Sequence, residues 1–232
     1  MRAACMGVML LLGVAVMAAP AVAQPDVSRR AGSTVADADV PGWRWQQLRV
    51  AAVEGGRHYR VRVAVPKTTP PAGGFPVAYL LDGNAALMEI DAALLVQLAT
   101  APHPPVIAFI AHDNDLRIDA DARAFDYTPR RPGGEEAQRD VLGERRNGGA
   151  DAFLDLIEQR IAPQVEALAP IDRNQRALWG HSYGGVFVLH VLFKRPGAFN
   201  VYAAADPSLW WGEGHMLREE ATAAASTGSA PR

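Results

Sequence analysis

The chain has 232 residues, with 23 Lys and Arg against 25 Asp and Glu, a formal net charge of −2, and 49% apolar residues. This length fits one domain, and the apolar fraction is typical of a globular core rather than of a disordered chain. The near-neutral charge removes the electrostatic reason to predict a nucleic-acid partner, and a single cysteine excludes an intramolecular disulfide or a metal site built on paired cysteines.

The N-terminus has the pattern of a secretory signal peptide over residues 1–23. Arg2 supplies the positive charge, residues 8–17 form an apolar run, and Ala21-Val22-Ala23 is a small-x-small cleavage site. A transmembrane anchor is the alternative, but Pro20 and the cleavage site favour removal of the segment. We therefore expect a protein exported to the periplasm or secreted, with no stable membrane anchor after cleavage.

The remaining chain is predicted to form a small lead-in, one domain and a tail. Residues 24–45 are small and polar and predict a flexible lead-in, residues 46–218 predict the folded domain, and residues 219–232 predict a disordered tail. Strands are expected at 46–53, 58–65, 77–81, 106–111, 175–179 and 199–205, and helices at 85–100, 153–168 and 186–193.

This order of elements predicts the fold class. Strand and helix alternate from Val77 onward, which is typical of a mostly parallel sheet covered by helices. Residues 112–149 show no clear period, and such a long irregular stretch is usually functional or mobile. Pro163 is expected to kink the helix that contains it.

The segment Gly180-His181-Ser182-Tyr183-Gly184-Gly185 joins a predicted strand to a predicted helix. This is the Gly-x-Ser-x-Gly pattern of a nucleophile elbow. A turn this sharp leaves no room for side chains at its glycines and forces the serine into a strained conformation. The serine hydroxyl then stands above the sheet, where the first amides of the helix can hold an oxyanion. The alternative is a glycine-rich turn with an incidental serine, and His181 is expected to serve in packing.

Several separated stretches resemble the α/β-hydrolase esterases that cleave siderophore trilactones, within the esterase-D-like group. They are Tyr59-Arg60-Val61, Tyr79-Leu80-Leu81-Asp82-Gly83-Asn84-Ala85, Phe125-Asp126-Tyr127-Thr128-Pro129, Gly148-Gly149-Ala150-Asp151-Ala152-Phe153, the elbow, and Pro207-Ser208-Leu209-Trp210-Trp211. The resemblance implies a three-layer α/β-hydrolase sandwich, incomplete at its C-terminal edge. It also implies serine-dependent ester hydrolysis without a metal or organic cofactor. The implied substrate is a small-molecule ester, with a catecholate trilactone or its ferric complex favoured.

The resemblance also implies roles for single residues. Ser182 would be the nucleophile, and the backbone amides of Tyr183 and Asn84 would form the oxyanion hole. The substrate-binding side chains would be those of Arg123, Tyr127, Trp210 and Trp211. Three alternatives stay open. Asn84 would cap the following helix, Arg123 would be a solvated surface charge, and the tryptophans would serve in core or rim packing.

No general base is identified. His190 lies two turns along the elbow helix, and His215 follows the last predicted strand. Members of this family supply the base histidine from a loop after the final strand. The sequence from Glu219 onward shows no strand pattern and no histidine. We therefore expect a truncated or frameshifted member with little activity. Asp206 is a candidate acid, although the family's acid comes one strand later. The alternatives are a non-catalytic binding module of the same fold and an acyltransferase, and the sequence does not separate hydrolysis from acyl transfer.

Overall fold

The computed structural model describes residues 26, 28–53, 56–140 and 144–227. The strands are β1 (Trp43–Ala51), β2 (His58–Pro66), β3 (Phe75–Leu80), β4 (Val106–His112), β5 (Ile171–His181) and β6 (Val201–Ala205). The α-helices are α1 (Gly83–Glu89), α2 (Ala92–Ala99), α3 (Ala120–Asp126), α4 (Ala150–Leu156), α5 (Ala162–Glu166), α6 (Tyr183–Lys194) and α7 (His215–Thr227). The predicted signal peptide lies outside these residues, and none of the helices described is long and apolar enough to span a membrane.

The strands form one sheet in the order β1-β2-β4-β3-β5-β6. β1 and β2 pair antiparallel, as do β2 and β4, whereas β4, β3, β5 and β6 pair parallel to their neighbours. The carboxyl ends of these four parallel strands therefore lie along one edge of the sheet. Sites in open α/β sheets form at this edge, so the residues that follow β3, β4, β5 and β6 are the ones to examine.

Both faces of the sheet are covered, which explains the continuous apolar run of β4. All seven residues of β4 are buried, as expected for a central strand. Ala108 and Ile110 pack with Phe153 of α4 and Phe187 of α6, while Phe109 faces the opposite layer with α1 and α2. The predicted α/β fold with a mostly parallel sheet is confirmed.

The lead-in is more ordered than its polar composition predicted. Val35–Asp37 forms a 3-10 turn that begins with a capping box at Thr34. β1 begins at Trp43 rather than at residue 46, because the Trp43 side chain is buried and its indole N–H donates to the carbonyl of Leu95 at 2.7 Å. A long-range contact thus fixes a segment whose composition suggested flexibility.

The helices are also divided differently from the prediction. The expected helix over 85–100 is two helices, because Asp91 caps the start of α2. The expected helix over 153–168 contains a π-helical segment at Ile157–Ile161, and Pro163 lies just after it in the first turn of α5. Proline has no backbone N–H to donate, and a π segment is one way in which a helix adjusts its hydrogen bonds to that loss. The stretch 112–149 includes α3 and a 3-10 turn at Glu135–Gln138, so it is partly regular.

The prediction of a disordered tail from residue 219 is wrong for the described part of that tail. Residues 219–227 belong to α7, while residues 228–232 lie outside the described chain. Met216 of this helix is buried against Trp211 and Val186. Glu219 also bonds to the buried His190 at 2.8 Å. The composition of the tail did not predict the packing of Met216 or the hydrogen bond of Glu219, because both depend on residues that are distant in the sequence.

Candidate active site

Ser182 lies at the junction of β5 and α6 with φ 57° and ψ −114°. This conformation is strained for a residue with a side chain, as the elbow pattern predicted. A Cβ on Gly180 would lie 2.4 Å from both the carbonyl carbon and the carbonyl oxygen of Gly184. The turn can therefore close only with glycine at position 180. The predicted strand–turn–helix geometry at Ser182 is confirmed.

The Ser182 hydroxyl bonds to a serine that the sequence did not single out. Its Oγ lies 3.0 Å from the Oγ of Ser208, and Ser208 is buried. The Ser208 amide donates to the carbonyl of Ser182 at 3.2 Å, and the Ser182 amide donates to the carbonyl of Ala205 at 3.0 Å. The loop after β6 is thus tied to the elbow. Only the tertiary structure brings positions 182 and 208 together.

Tyr183 begins α6, where the first helical hydrogen bond runs from the Val186 amide to the Ser182 carbonyl at 3.1 Å. The amides of residues 183–185 therefore precede the helical ladder. Such amides carry the positive end of the helix dipole and suit an anion. The amide of Tyr183 is the first of these three, and its oxyanion role stays a prediction.

The turn after β3 is held in an unusual shape. Asp82 has left-handed φ 49° and ψ 48°, and its amide donates to the hydroxyl of Tyr127 at 3.0 Å. Asn84 is the second residue of α1 and does not cap it, because Asp82 is the N-cap residue. The Asn84 side chain instead donates to the carbonyls of Asn114 and Leu116 at 3.0 and 2.8 Å. These two hydrogen bonds hold the start of the 112–149 stretch against the carboxyl edge of the sheet.

Arg123 is buried, which rules out the solvated surface charge. Its Nε and Nη2 donate to both oxygens of Asp82, with the shortest distance 2.8 Å, and Nη2 also donates to the carbonyl of His181 at 3.2 Å. Burial opposes the charged guanidinium, but the attraction of Asp82 outweighs it and raises the pKa of Arg123. The guanidinium thus joins the turn after β3 to the residue before Ser182. Its Nη1 makes no hydrogen bond to any residue described.

Two of the other predicted substrate contacts lie in the core. Tyr127 is 1% exposed and its ring packs against those of Phe153 and Phe187, and burial raises the pKa of its hydroxyl. Trp211 is also 1% exposed, with its ring 5.6 Å from that of His215. The predicted substrate contacts of these two side chains are corrected, since neither has surface to offer. Trp210 is 64% exposed and its ring lies 6.0 Å from that of Tyr183.

No histidine hydrogen-bonds to Ser182 in the part of the chain that the structure describes. His215 begins α7, where its Nε2 lies 3.5 Å from Oε1 of Glu219, a contact without a directed hydrogen bond. Burial lowers the pKa of His215. His181 is exposed rather than packed, because its strand ends at the open edge of the sheet. Asp206 is exposed as well, with φ 41°.

His190 is the buried centre of a charge cluster that joins three helices. Its Nδ1 lies 2.8 Å from a Glu219 oxygen of α7, and its Nε2 lies 3.1 Å from an Asp151 oxygen of α4. Carboxylates on both ring nitrogens require both to carry protons. Burial opposes the charge, but the hydrogen bonds to Asp151 and Glu219 outweigh it and raise the pKa of His190. This cluster holds α7 against the elbow helix.

We expect His190→Gln to destabilise the fold by about 1–3 kcal/mol at pH 6, since a charged group would lose its hydrogen bonds. A raised folded-state pKa gives stability that is fully present below the unfolded value of about 6.5 and is lost as pH rises through the folded value. The difference between wild type and variant should therefore shrink at pH 9. Urea denaturation at both pH values measures it, with the exposed His103→Gln as control. An equal difference at both pH values would contradict the charged cluster.

The described residues contain no group of three or more His, Cys, Asp or Glu side chains that could hold a metal ion. The groups that converge at the sheet edge are hydroxyls, helix amides and a guanidinium. Such a set is suited to attack on a carbonyl carbon and to stabilisation of the resulting negative charge.

Comparison with known proteins gives a family match. Residues 52–230 match the family described as putative esterase. The chain is 41% identical over 202 residues to the apo-salmochelin esterase of Escherichia coli O6:H1, covering 87% of this chain and 63% of the relative. It is 34% identical over 175 residues to the ferri-bacillibactin esterase BesA of Bacillus subtilis, covering 70% and 58%. The chain spans about three fifths of the length of these relatives.

Solved structures with the same fold carry related descriptions. The enterobactin hydrolase IroE in complex with DFP superposes with a TM-score of 0.71 and 42% identity, covering 80% of this chain and 72% of that one. The BES protein from Bacillus cereus superposes with a TM-score of 0.67 and 28% identity, covering 80% and 70%. These similarities agree with the α/β-hydrolase resemblance.

Proposed function

This chain belongs to the esterase family, and we propose that it is an exported serine ester hydrolase that forms an acyl-enzyme at Ser182. The observation that carries the proposal is the strained Ser182 at the β5–α6 junction, which directly precedes the unpaired amides at the start of α6. Export rests on the signal-peptide pattern of residues 1–23. Membership of the esterase family supports hydrolysis of an ester as the reaction.

In the proposed reaction, the Ser182 oxygen attacks the ester carbonyl carbon. No described histidine bonds to Ser182, so the hydroxyl proton passes to a solvent water as the new bond forms, and the carbonyl oxygen becomes an oxyanion held by the amides of Tyr183 and Asn84. Collapse of the intermediate breaks the bond to the alcohol oxygen, which takes a proton from solvent water and departs as the alcohol. Water then hydrolyses the acyl-enzyme. Ser208 contributes by fixing the direction of the Ser182 hydroxyl.

We propose a siderophore trilactone as substrate, because the relatives are named as esterases of salmochelin and bacillibactin. Two features of the site support an anionic aromatic substrate. The Nη1 of the buried Arg123 has no hydrogen-bond partner among the described residues, and the exposed Trp210 ring lies beside Tyr183 at the elbow. A guanidinium that meets a catecholate gains charge-assisted hydrogen bonds of about 1.5–3 kcal/mol where water is excluded.

Covalent labelling tests the nucleophile. We expect a fluorophosphonate probe to add one adduct per chain slowly, over a long incubation, because no described histidine bonds to Ser182. Peptide mass spectrometry should find the adduct on Ser182. Ser182→Ala should remove the adduct completely. His215→Gln should leave the labelling rate unchanged, since the contacts of His215 are with Trp211 and Glu219. Labelling that survives Ser182→Ala would refute the assignment.

A second measurement separates the hydrolase from a binding module with the same fold. No described histidine bonds to Ser182, and removing the base from a serine triad costs about 10⁴-fold or more in rate. We therefore expect slow hydrolysis of a catecholate trilactone by this chain, with turnover lost in Ser182→Ala. Saturable binding of the trilactone without any Ser182 adduct would favour the binding module. Acyl transfer would appear as an ester product when a competing alcohol is present.

A further inference from the structure

A cavity of about 430 Å³ lies beside the hairpin end of the sheet, apart from the elbow. Its walls come from the end of β1, the start of β2, the end of α3, and one side of α4 with the π segment that follows. The residues that line it include none from the elbow, from the turn after β3 or from the loop after β6. Sites for small molecules begin at about 300 Å³, so the space is large enough for one.

The carboxylates in the wall already have cationic partners. Asp126 accepts from the hydroxyl of Tyr59 at 2.7 Å and lies 2.9 Å from Nε2 of His112. Its other oxygen lies 3.1 Å from Nε of Arg57. The two groups form an ion pair, but their alignment does not allow a hydrogen bond. Asp155 pairs with Arg195 at 2.8 Å. The acids therefore leave little negative charge to repel an anion.

Two arginines in the same wall keep most of their donors. Arg160 uses one nitrogen for the carbonyl of Ala51 at 3.3 Å. Arg146 lies 4.0 Å from the nearest oxygen of Glu135, and its side chain is 69% exposed. A guanidinium has five N–H donors, so within the described chain both groups retain several for a ligand. Three arginines and two aspartates line the cavity, so the described lining carries a surplus of positive charge.

Aromatic rings border the same space. The guanidinium carbons of Arg57 and Arg146 lie 4.5 and 5.6 Å from the ring centroid of Phe125. The rings of Tyr59 and Phe153, whose centroids are 5.4 Å apart, form the inner wall. Guanidinium groups on aromatic faces recognise flat anions, because they offer paired hydrogen bonds and a surface for stacking.

We propose that this cavity is a second binding site, and that its ligand is a small aromatic carboxylate. The carboxylate binds Arg146 and Arg160, and the aromatic ring lies against Phe125 and Phe153. The site is separate from Ser182, so binding here does not depend on the proposed reaction. Failure of one proposal therefore leaves the other standing.

Isothermal titration with benzoate at low salt tests the site. We expect saturable binding to the wild type and an affinity that is about tenfold weaker in Arg146→Ala and in Arg160→Ala. Cyclohexanecarboxylate should bind more weakly than benzoate, because it lacks the flat ring. Higher salt should weaken binding of benzoate, since both arginines face solvent.

Matched variants keep the result interpretable. Arg173→Ala removes an exposed arginine elsewhere and should bind benzoate like the wild type. Ser182→Ala should also bind normally. Ala152→Trp fills the cavity from an exposed position of α4 and should abolish binding while the thermal transition stays near that of the wild type. The absence of saturable binding, or equal affinity in Arg146→Ala, Arg160→Ala and wild type, would overturn the proposal.

Discussion

Arg123→Ala is expected to destabilise the protein by about 3–5 kcal/mol, the usual result of removing one partner of a buried ion pair. Both oxygens of Asp82 would lose their guanidinium, and the carbonyl of His181 would lose its donor. The side chains of Arg123 and Asp82 are 9% and 11% exposed, so water does not replace the pair. Urea denaturation monitored by circular dichroism measures the loss in the free energy of unfolding. Many domains have a total stability of only 5–15 kcal/mol, so the variant will be close to unfolding.

Two further variants make this expectation specific to the pair. Arg130→Ala removes an arginine whose side chain is 55% exposed and paired with Glu135, and it should cost less than about 1 kcal/mol. Asp82→Asn combined with Arg123→Ala removes the stranded charge and should recover part of the loss. Asparagine also tolerates the left-handed backbone at position 82. A loss below about 1 kcal/mol in Arg123→Ala alone would show that the pair does not hold the turn.

Gly180→Ala is expected to open the elbow. Its new methyl group would lie 2.4 Å from the backbone of Gly184, which cannot move aside as a flexible side chain would. We expect a destabilisation of about 1–3 kcal/mol or more, as in other overpacked sites. Fluorophosphonate labelling of Ser182 should fall sharply at the same time, because the hydroxyl and the first amides of α6 would separate. Thermal melting and intact mass measure the two effects.

Gly197→Ala is the matched control for this substitution. A Cβ at Gly197 would meet nothing within 4 Å, and its φ is not positive. The change should be neutral or stabilise by up to about 1 kcal/mol through the unfolded chain, with labelling unchanged. Equal stability and equal labelling in Gly180→Ala and Gly197→Ala would contradict the closed turn.

Local sequence patterns were sufficient to predict the fold class and the position of the elbow. Apolar runs such as that of β4 identify central strands, and their alternation with helices specifies the parallel sheet. Gly180 identifies the turn at Ser182, because a Cβ there would lie 2.4 Å from the nearby backbone of Gly184. The expectation that Gly184 also leaves no room for a side chain is wrong, since a Cβ at 184 would meet Leu81 at an ordinary distance of 3.6 Å. These features depend on residues that are neighbours along the chain, which is why they were readable without a structure.

The side chains that meet at the carboxyl edge of the sheet could be identified only in the folded structure. Arg123 pairs with Asp82 across 41 positions, and Ser182 bonds to Ser208 across 26. Tyr127 and Trp211 resemble binding residues in sequence but lie in the core, because the packing of α4, α6 and α7 covers their rings. Burial and long-range pairing depend on how the helices close over the sheet. No local pattern encodes that closure, so the roles of these residues became visible only in three dimensions.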